Sequence, residues 1–333
     1  MVNKQTINAA QIAIICATKD RPDKIRNLLE SVARLESQPG QILIADGGHN
    51  LKPLVKEFAG RINVSCLYCP EPGQILQRNY ARGYLAQNIQ LVAHVDDDIT
   101  FEPDAFQEIL LFWDKQSKNI DGTIAGVSFN VTDMAPPPSS VFRKIFFMSP
   151  QPAGTVACSG YARQFLPATH DLSVDWLVGG VTLWSRDVLC ANPHPLSFRT
   201  RWAVCEDLLF SYPLRHSHKM FVCSKAIAYH NEEYGEMGFD ISVFYGVSSV
   251  VMRYHFVARH KELSHLAFTW MTIGIILGHS FAGVCGSRRG MGLAFGMLRG
   301  LYWIGLSRIR GVDSESLVRR LMDLHVEKPK CQP

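Results

Sequence analysis

Short runs of β-branched and aliphatic residues alternate with amphipathic stretches along the first half of the chain. The runs predict strands, and apolar positions that repeat every three or four residues predict helices. The predicted strands are 12–16, 41–45, 62–68, 91–95 and 123–130, and the predicted helices are 23–35, 51–58, 74–87 and 104–118. This alternation is typical of an α/β fold with a mostly parallel sheet flanked by helices, in which ligands bind beyond the carboxyl ends of the strands.

The pattern changes twice in the second half. Prolines interrupt it around 133–152, and we predict an insert over about 133–175. A strand over 176–184, a helix over 206–216 and a strand over 220–229 come next. After residue 240 the stretches are long, apolar and basic. We therefore predict an α/β domain over 1–240 and a helical region over 241–333.

Composition narrows the class of protein. The 333 residues are 47% hydrophobic with a net charge of only +4, which predicts a folded protein and gives no reason to expect a nucleic-acid partner. The first apolar run, 12–17, is too short for a secretory signal, so we expect the protein to lie in the cytosol. Nine scattered cysteines fit reduced thiols, and we predict no zinc at the lone pair Cys66 and Cys69.

Polar residues come directly after three predicted strands. Thr18 to Arg21 is at the end of the first strand, Asp46 and two glycines are at the end of the second, and three aspartates are at the end of the fourth. An acid after the second strand can accept hydrogen bonds from a ribose or a base, and glycine lets a ligand approach the backbone. Alone, Asp46-Gly47 is also an ordinary turn.

The aspartates Asp96, Asp97 and Asp98 indicate a cation site. Adjacent carboxylates at a buried strand end repel one another unless a cation neutralises them, and Mg²⁺ or Mn²⁺ prefers such oxygen ligands. Alternate residues of an extended segment share a face, so we predict that Asp96 and Asp98 share the ion while Asp97 faces elsewhere. The alternative is a solvated acidic loop that caps the helix after Pro103.

Three further features complete the candidate chemistry. Glu206 and Asp207 open a helix, Gly179 and Gly180 lie in an apolar predicted strand, and His230 ends the strand expected beside the aspartates. Acids in a first helical turn also have a structural explanation, since they interact favourably with the helix dipole. A histidine after a strand is more often structural than a ligand.

In order and spacing, these segments resemble family 2 glycosyltransferases of the GT-A fold from about residue 12 to residue 230. Thr18 to Arg21 is similar to the family's opening nucleotide-contact segment, and Asp46 to the acid that contacts the nucleoside. Arg78 and Asn79 resemble the start of the Arg-Asn-x-Gly helix near the donor. The resemblance implies a nucleotide diphosphate sugar as the donor. The donor site it implies consists of Thr18, Arg21, Asp46, Arg78, Asn79 and Asp96.

The resemblance also implies a metal and an acceptor site. Asp96 and Asp98 resemble the Asp-x-Asp motif that binds Mn²⁺ or Mg²⁺, and His230 resembles the late histidine that approaches the metal. The resemblance further implies a glycine-rich acceptor loop at Gly179 and Gly180, a catalytic base at Asp207 and a supporting acid at Glu206.

The activity that the resemblance implies is that of an inverting, metal-dependent glycosyltransferase, which transfers a sugar to an acceptor hydroxyl in cell-surface polysaccharide or glycolipid synthesis. Two residues depart from the family pattern, since Asp20 stands where the family often has Asn, and Gly48 where Ser is common. The insert over about 133–175 is not family core and is expected to influence the choice of sugar or acceptor.

Two other functions are compatible with the sequence. A sugar-nucleotide nucleotidyltransferase would need a glycine-rich phosphate loop after the first strand, and residues 18–21 contain none. A non-catalytic membrane adaptor could retain the fold, but the joint presence of Asp96, Asp98, Asp207 and His230 argues against it.

The C-terminal region carries membrane signals. Residues 266–285 and 291–307 form two apolar stretches, and between 250 and 312 eight basic residues face one acid, which gives +7. Small residues recur every four positions in both stretches, which suits close helix packing and a homodimer. Because Arg288 and Arg289 in the turn oppose the positive-inside tendency, we predict a shallow hairpin in the cytoplasmic leaflet, with a lipid-linked or saccharide acceptor. The alternative is two buried helices of a soluble protein.

Overall fold

The computed structural model describes residues 6–48, 50–135, 140–149, 152–163, 165–193, 204–231 and 238–323. The chain forms two compact units. Unit 1 comprises Met1–Pro136, Phe165–Leu196 and Phe210–Glu232, and unit 2 comprises Pro137–Gln164, Ser197–Leu209 and Glu233–Pro333. Part of the predicted insert therefore groups with the C-terminal helices.

Unit 1 contains a single mixed sheet. Its strands are β1 Ile12–Thr18, β2 Gln41–Asp46, β3 Val64–Tyr68, β4 Leu91–Asp96, β5 Ile99–Phe101, β6 Thr123–Val131, β7 Leu172–Ser173, β8 Val181–Ser185 and β9 His218–His230. Their order is β3-β2-β1-β4-β8-β6-β9-β5, with β7 paired to β9. The predicted strands are present, and all but one begin and end within two residues of the prediction. The exception is the strand predicted over 176–184, which begins only at Val181.

The first four neighbours in this order, β3-β2-β1-β4, are parallel, whereas β8 is antiparallel to both β4 and β6. The sheet is thus more mixed than the sequence pattern predicts. A parallel neighbour needs a crossover connection, usually a helix. Between β6 and β8 the described residues of unit 1 contain no helix, which fits the antiparallel pairing of β8.

The helices are α1 Pro22–Ala33, α2 Lys52–Phe58, α3 Gln74–Arg82, α4 Ala105–Asn119, α5 Val141–Ile145, α6 Arg186–Ala191, α7 Glu206–Ser211, α8 Phe239–Arg259, α9 His265–Val284, α10 Arg288–Ile309 and α11 Ser314–Asp323. In unit 1, helix α1 shows why these segments fold as they do. Pro22 stands at its start with Asp23 in the first turn, both favoured there. Its buried positions Ile25, Leu28, Leu29 and Val32 follow the helical repeat.

Helix α3 ends five residues earlier than predicted. Gly83 is its C-cap, and the backbone beyond it is bound by a side chain from β2. Gln41 donates to the Tyr84 carbonyl (2.9 Å) and accepts from the Ala86 amide (3.0 Å). These tertiary hydrogen bonds satisfy backbone groups that a longer helix would have used.

In unit 2, glycines allow α8 and α10 to pack closely. A Cβ atom on Gly296 of α10 would lie 2.0 Å from the Val243 carbonyl oxygen of α8, and one on Gly246 of α8 would lie 2.5 Å from the Leu293 oxygen. The four-residue glycine spacing of α10 therefore serves packing within one chain. On α9, Gly274 faces Phe146, but Gly278 borders open space.

In the part of the chain that the structure describes, two helices, α8 and α9, are long and apolar enough to cross a membrane by length and composition. Core helices of soluble proteins can have the same length and composition. The two helices differ in burial: 61% of the most apolar 18-residue segment of α8 is buried, against 33% of that of α9. Of the two predicted apolar stretches, the first corresponds to α9.

Candidate functional site

The parallel register places three candidate residues at one edge of the sheet in unit 1. Thr18 at the end of β1 is aligned with Asp46 at the end of β2, and Ala17 is aligned with Asp96 at the end of β4. The strand ends named by the sequence are therefore neighbours. Gln77 of α3 ties the first two together, since its amide donates to the carbonyl oxygens of Thr18 (2.7 Å) and Ala45 (2.6 Å).

Arg21 joins two of the three aspartates. It donates to Asp97 Oδ1 at 2.5 Å and to Asp98 Oδ2 at 3.3 Å, and the Thr18 hydroxyl donates to Asp97 Oδ2 at 2.6 Å. The prediction that Asp97 faces away from Asp98 is wrong. Residues 97 and 98 form a turn between β4 and β5, so the alternation of an extended strand does not apply to them.

His230 lies, as predicted, beside the turn of Asp97 and Asp98, which we call the acidic turn. It pairs with Ile99 of β5 across the sheet, and its Nε2 is 3.3 Å from Asp98 Oδ1. Its backbone amide donates to the carboxylate of Asp133. The end of β9 is thus fixed next to Asp98.

Asp96 faces a different set of partners. Its Oδ1 accepts from Arg78 Nη2 (2.6 Å) and from Gln74 Nε2 (2.7 Å), and the Arg78 side chain is fully buried. A Cβ on Gly180 would lie 2.0 Å from Asp96 Oδ2, so glycine is required there to admit this carboxylate. Gly179 and Gly180 form the turn just before β8 and are not part of the strand itself.

The acidic turn is incompletely neutralised. Burial raises the pKa of Asp97 to about 6; Thr18 and Arg21 oppose this rise, while the charges of Asp98 and Asp96 add to it. Burial also acts to raise the pKa of Asp98, but His230 and Arg21 outweigh it and hold that pKa below its usual value. A further positive charge beside Asp97 would stabilise its ionised form, which burial disfavours.

Asp46 is buried and holds its own loop. Its two carboxylate oxygens accept from the amides of Gly48 (2.8 Å) and Leu51 (3.1 Å). This arrangement shapes the loop after β2. A direct contact between Asp46 and a nucleoside stays a prediction.

An open cleft of about 710 Å³ lies at this edge of unit 1, a size typical of small-molecule sites. Its lining residues are Lys19, Asp46, Gly47, Gly48, Asn50, Lys52, Cys66 and Tyr68. Lys52 and the exposed Tyr68 were not predicted as site residues. They belong to no sequence motif, and only the fold brings them beside Lys19, which lies in the predicted nucleotide-contact segment 18–21.

The two departures from the family pattern touch one another at this cleft. Asp20 has a φ of 56°, in the left-handed region. A Cβ on Gly48 would lie 2.3 Å from Asp20 Oδ1 and 2.8 Å from the Asp20 amide nitrogen. The loop after β1 thus occupies the space of a side chain at position 48.

Asn79 and the cysteine pair are also singled out by the sequence. The side chain of Asn79 on α3 accepts a hydrogen bond from Arg82, so its donor role stays a prediction. Burial raises the pKa of both Cys66 and Cys69 to about 11, so these free thiols are protonated near neutral pH.

Glu206 and Asp207 belong to unit 2 and open α7. The preceding Cys205 has a φ of 62°, an uncommon conformation for a residue with a side chain. The Asp207 carboxylate accepts from the Leu208 amide at 2.8 Å, and Glu206 is buried. The basic aromatic segment 198–202 that precedes them lies outside the described residues.

The predicted metal ligands suit a divalent ion by their chemistry. Asp96 and Asp98 supply oxygen and His230 supplies nitrogen, and the acidic turn carries surplus negative charge. Among the described residues, no three His, Cys, Asp or Glu side chains are grouped as a ready metal site. Arg21 and Arg78 instead hold the carboxylates.

Comparison with known proteins gives one family match and several structural likenesses. The model of the family described as glycosyl transferase family 2 matches residues 13–166, whereas no curated protein matches significantly. The crystal structure of S. aureus TarS 1–349 is similar, with a TM-score of 0.51 at 13% identity over 94% of this chain and 90% of that one. A mannosyltransferase from Pyrobaculum calidifontis, in complex with GDP-Man and Mn²⁺, has a TM-score of 0.49 at 13% identity over 96% and 88%.

The family match spans β1 to β6 and includes the strand ends that carry Thr18, Asp46 and Asp96. The likeness to TarS covers nearly the whole chain and shows the fold. Residues 13–166 therefore match glycosyl transferase family 2, and together with the fold they support a glycosyltransferase with a GT-A fold.

Proposed function

We propose that this enzyme transfers a sugar, with inversion, from a nucleoside diphosphate donor to an acceptor hydroxyl at a membrane surface. The observation that carries the proposal is the network of Arg21 with Asp97, Asp98 and His230 at the sheet edge that also holds the lysine-lined cleft. Cations and carboxylates side by side suit a ligand that carries both phosphates and a metal ion.

The donor would lie in the cleft of unit 1. Its volume suits a nucleoside, and Lys19 and Lys52 would attract the diphosphate. Tyr68, which is largely exposed, offers a ring on which a base can stack. Thr18 and Arg21 contribute by fixing the acidic turn, while Arg78 orients Asp96.

Mn²⁺ or Mg²⁺ would be held by Asp98 and His230 with help from Asp96. When bound, such an ion neutralises negative charge on the leaving diphosphate. Arg21 is half-exposed, so it can move from Asp98 at little cost.

In the reaction, the bond between the anomeric carbon and the diphosphate oxygen breaks, and the electron pair leaves with the nucleoside diphosphate. The acceptor oxygen forms the new bond from the opposite face, which inverts the anomeric carbon. Asp207 takes the acceptor hydroxyl's proton as the bond forms, and Glu206 orients the acceptor. The turn at Gly179 and Gly180, which lies against the Asp96 carboxylate, would serve as the acceptor loop.

We place this activity at the cytoplasmic face of a membrane, with a lipid-linked or saccharide acceptor used in cell-surface polysaccharide or glycolipid synthesis. The uncharged, largely exposed α9 supports this location. A homodimer through α10 has less support, because the glycine face of α10 packs against α8 of the same chain.

A thermal-shift panel of UDP-, GDP- and dTDP-sugars with and without Mn²⁺ tests the donor and the metal together, since a ligand that binds only the native state raises Tm. We expect one nucleoside class to raise Tm, and to do so more with Mn²⁺. The variant Asp98→Asn should lose the Mn²⁺-dependent part. A protein whose Tm no nucleotide sugar shifts, with or without Mn²⁺, would contradict the proposal.

A further inference from the structure

Helix α9 of unit 2 presents an apolar face outward. It contains no Asp, Glu, Lys or Arg over its 20 residues. Its exposed large side chains recur every three or four positions and so share one side of the helix. They are Leu266, Trp270, Ile273, Leu277, Phe281 and Val284. Water-soluble surfaces rarely carry so long an apolar stripe without a partner that covers it.

The short helix α5 adds a second apolar element to this stripe. Val141 is 72% exposed, Phe142 and Ile145 are also exposed, and so is Phe147 just after the helix. For comparison, α4 of unit 1 exposes one large apolar side chain, Leu111. The outward residues of α5 thus form a cluster and are not isolated surface side chains.

Helix α5 is fixed directly on α9. Phe146 stacks on Trp270 with ring centroids 4.8 Å apart, and the Trp270 indole donates to the Ile145 carbonyl at 2.9 Å. Gly274 makes this possible, because a Cβ there would lie 2.3 Å from Phe146 Cγ. Trp270 belongs to the exposed stripe itself, so α5 extends that stripe.

Charge favours a lipid bilayer over a second copy of the chain. Arg143 and Lys144 lie within α5, Arg259 and Lys261 precede α9, and Arg288 and Arg289 come after it. Two copies paired through these faces would bring like charges together, whereas anionic headgroups would attract them. A helix of 20 residues is about 30 Å long, enough to provide a continuous buried edge at the bilayer boundary.

We propose that α5 and α9 form one bilayer-inserting surface, with anionic phospholipid as its partner, and that α5 enters the acyl boundary beside Trp270. This inference rests on the membrane location proposed above and identifies the segment 141–147 as part of the anchor. It assigns the insert a role in membrane attachment. The outward side chains of α5 insert, while Arg143 remains bonded to Tyr161.

The test is vesicle flotation of the full chain and of the double variant Val141→Ser, Ile145→Ser. Vesicles of about 70% phosphatidylcholine and 30% phosphatidylglycerol supply the anionic surface, and pure phosphatidylcholine vesicles are the comparison. Because both residues are exposed, the variant should fold normally. Its partition constant should fall roughly tenfold, as expected when two apolar side chains no longer leave water. Leu111→Ser, on α4, is the matched control and should float as the wild type does.

Hydrogen exchange on the same vesicles gives a second readout. The amides of 141–149 and of α9 should be protected, while those of α4 should not change.

Protection of α9 without 141–149, or normal flotation of the double variant, would overturn the role of α5 and leave the membrane location standing. Equal binding to neutral vesicles would overturn the anionic partner. A dimer in the absence of lipid that the double variant abolishes would overturn the bilayer in favour of a second copy. Nucleotide-sugar thermal shifts should be unchanged in the variant, which separates this proposal from the transfer reaction.

Discussion

Replacing Asp96 by Asn should destabilise the protein because Asp96 neutralises a buried cation. The Arg78 side chain is 0% exposed and lies 2.6 Å from the Asp96 carboxylate. Removing one partner of a buried ion pair typically costs about 3–5 kcal/mol. The Asp96 side chain is 34% exposed, and an Asn oxygen can still accept from Arg78, so we expect a loss of about 2 kcal/mol in the free energy of unfolding.

The variant Asp98→Asn is the matched control, with the same chemical change two residues away. Its partners are Arg21, which is 45% exposed, and His230, which is 22% exposed, each 3.3 Å distant, so each pair should contribute less than about 1 kcal/mol. Losing this carboxylate also relieves repulsion on Asp97. Urea unfolding followed by circular dichroism measures all three proteins. If Asp98→Asn lost as much stability as Asp96→Asn, the assignment of Asp96 as the partner of a buried charge would be refuted.

Three further outcomes are expected. Asp207→Asn should keep donor binding and lower turnover roughly a hundredfold or more, and turnover near the wild-type value would remove Asp207 as the base. Nucleoside diphosphate affinity should fall when EDTA is added and in Asp98→Ala, whereas equal affinity with and without EDTA would count against a metal. Gly296→Ala should cost about 1–3 kcal/mol by overpacking against α8, while Gly278→Ala, which borders open space, should be neutral or gain up to about 1 kcal/mol in urea unfolding.

The strands and the first helices could be predicted because their signals are local. Buried β-branched runs set β1 and β4, and Pro22 sets the start of α1. The end of α3 could not be predicted, since the Gln41 side chain that binds the backbone beyond it comes from another strand. The antiparallel direction of β8 likewise depends on pairing between distant segments.

The candidate site shows the same division. Asp98 and His230 could be placed together because both lie at the ends of strands that are neighbours in the sheet. The orientation of Asp97 was predicted wrongly, because the chain turns at residues 97 and 98 and both carboxylates bind Arg21. Lys52 belongs to no motif, so only the folded sheet edge brings it to one cleft with Lys19. Helix α5 was hidden in a proline-rich segment whose sequence indicates a loop.

The close approach of Asp20, in the loop after β1, to Gly48 is possible because glycine has no Cβ atom. A side chain at position 48 would meet both the carboxylate and the backbone of Asp20, so the loop would have to move. Arg21 is the next residue, and it holds the carboxylates of Asp97 and Asp98. A substitution of Gly48 in the loop after β2 would therefore shift Arg21 and, with it, the turn of Asp97 and Asp98 after β4. Changing donor preference at position 48 would require residues 20 and 48 to be redesigned together.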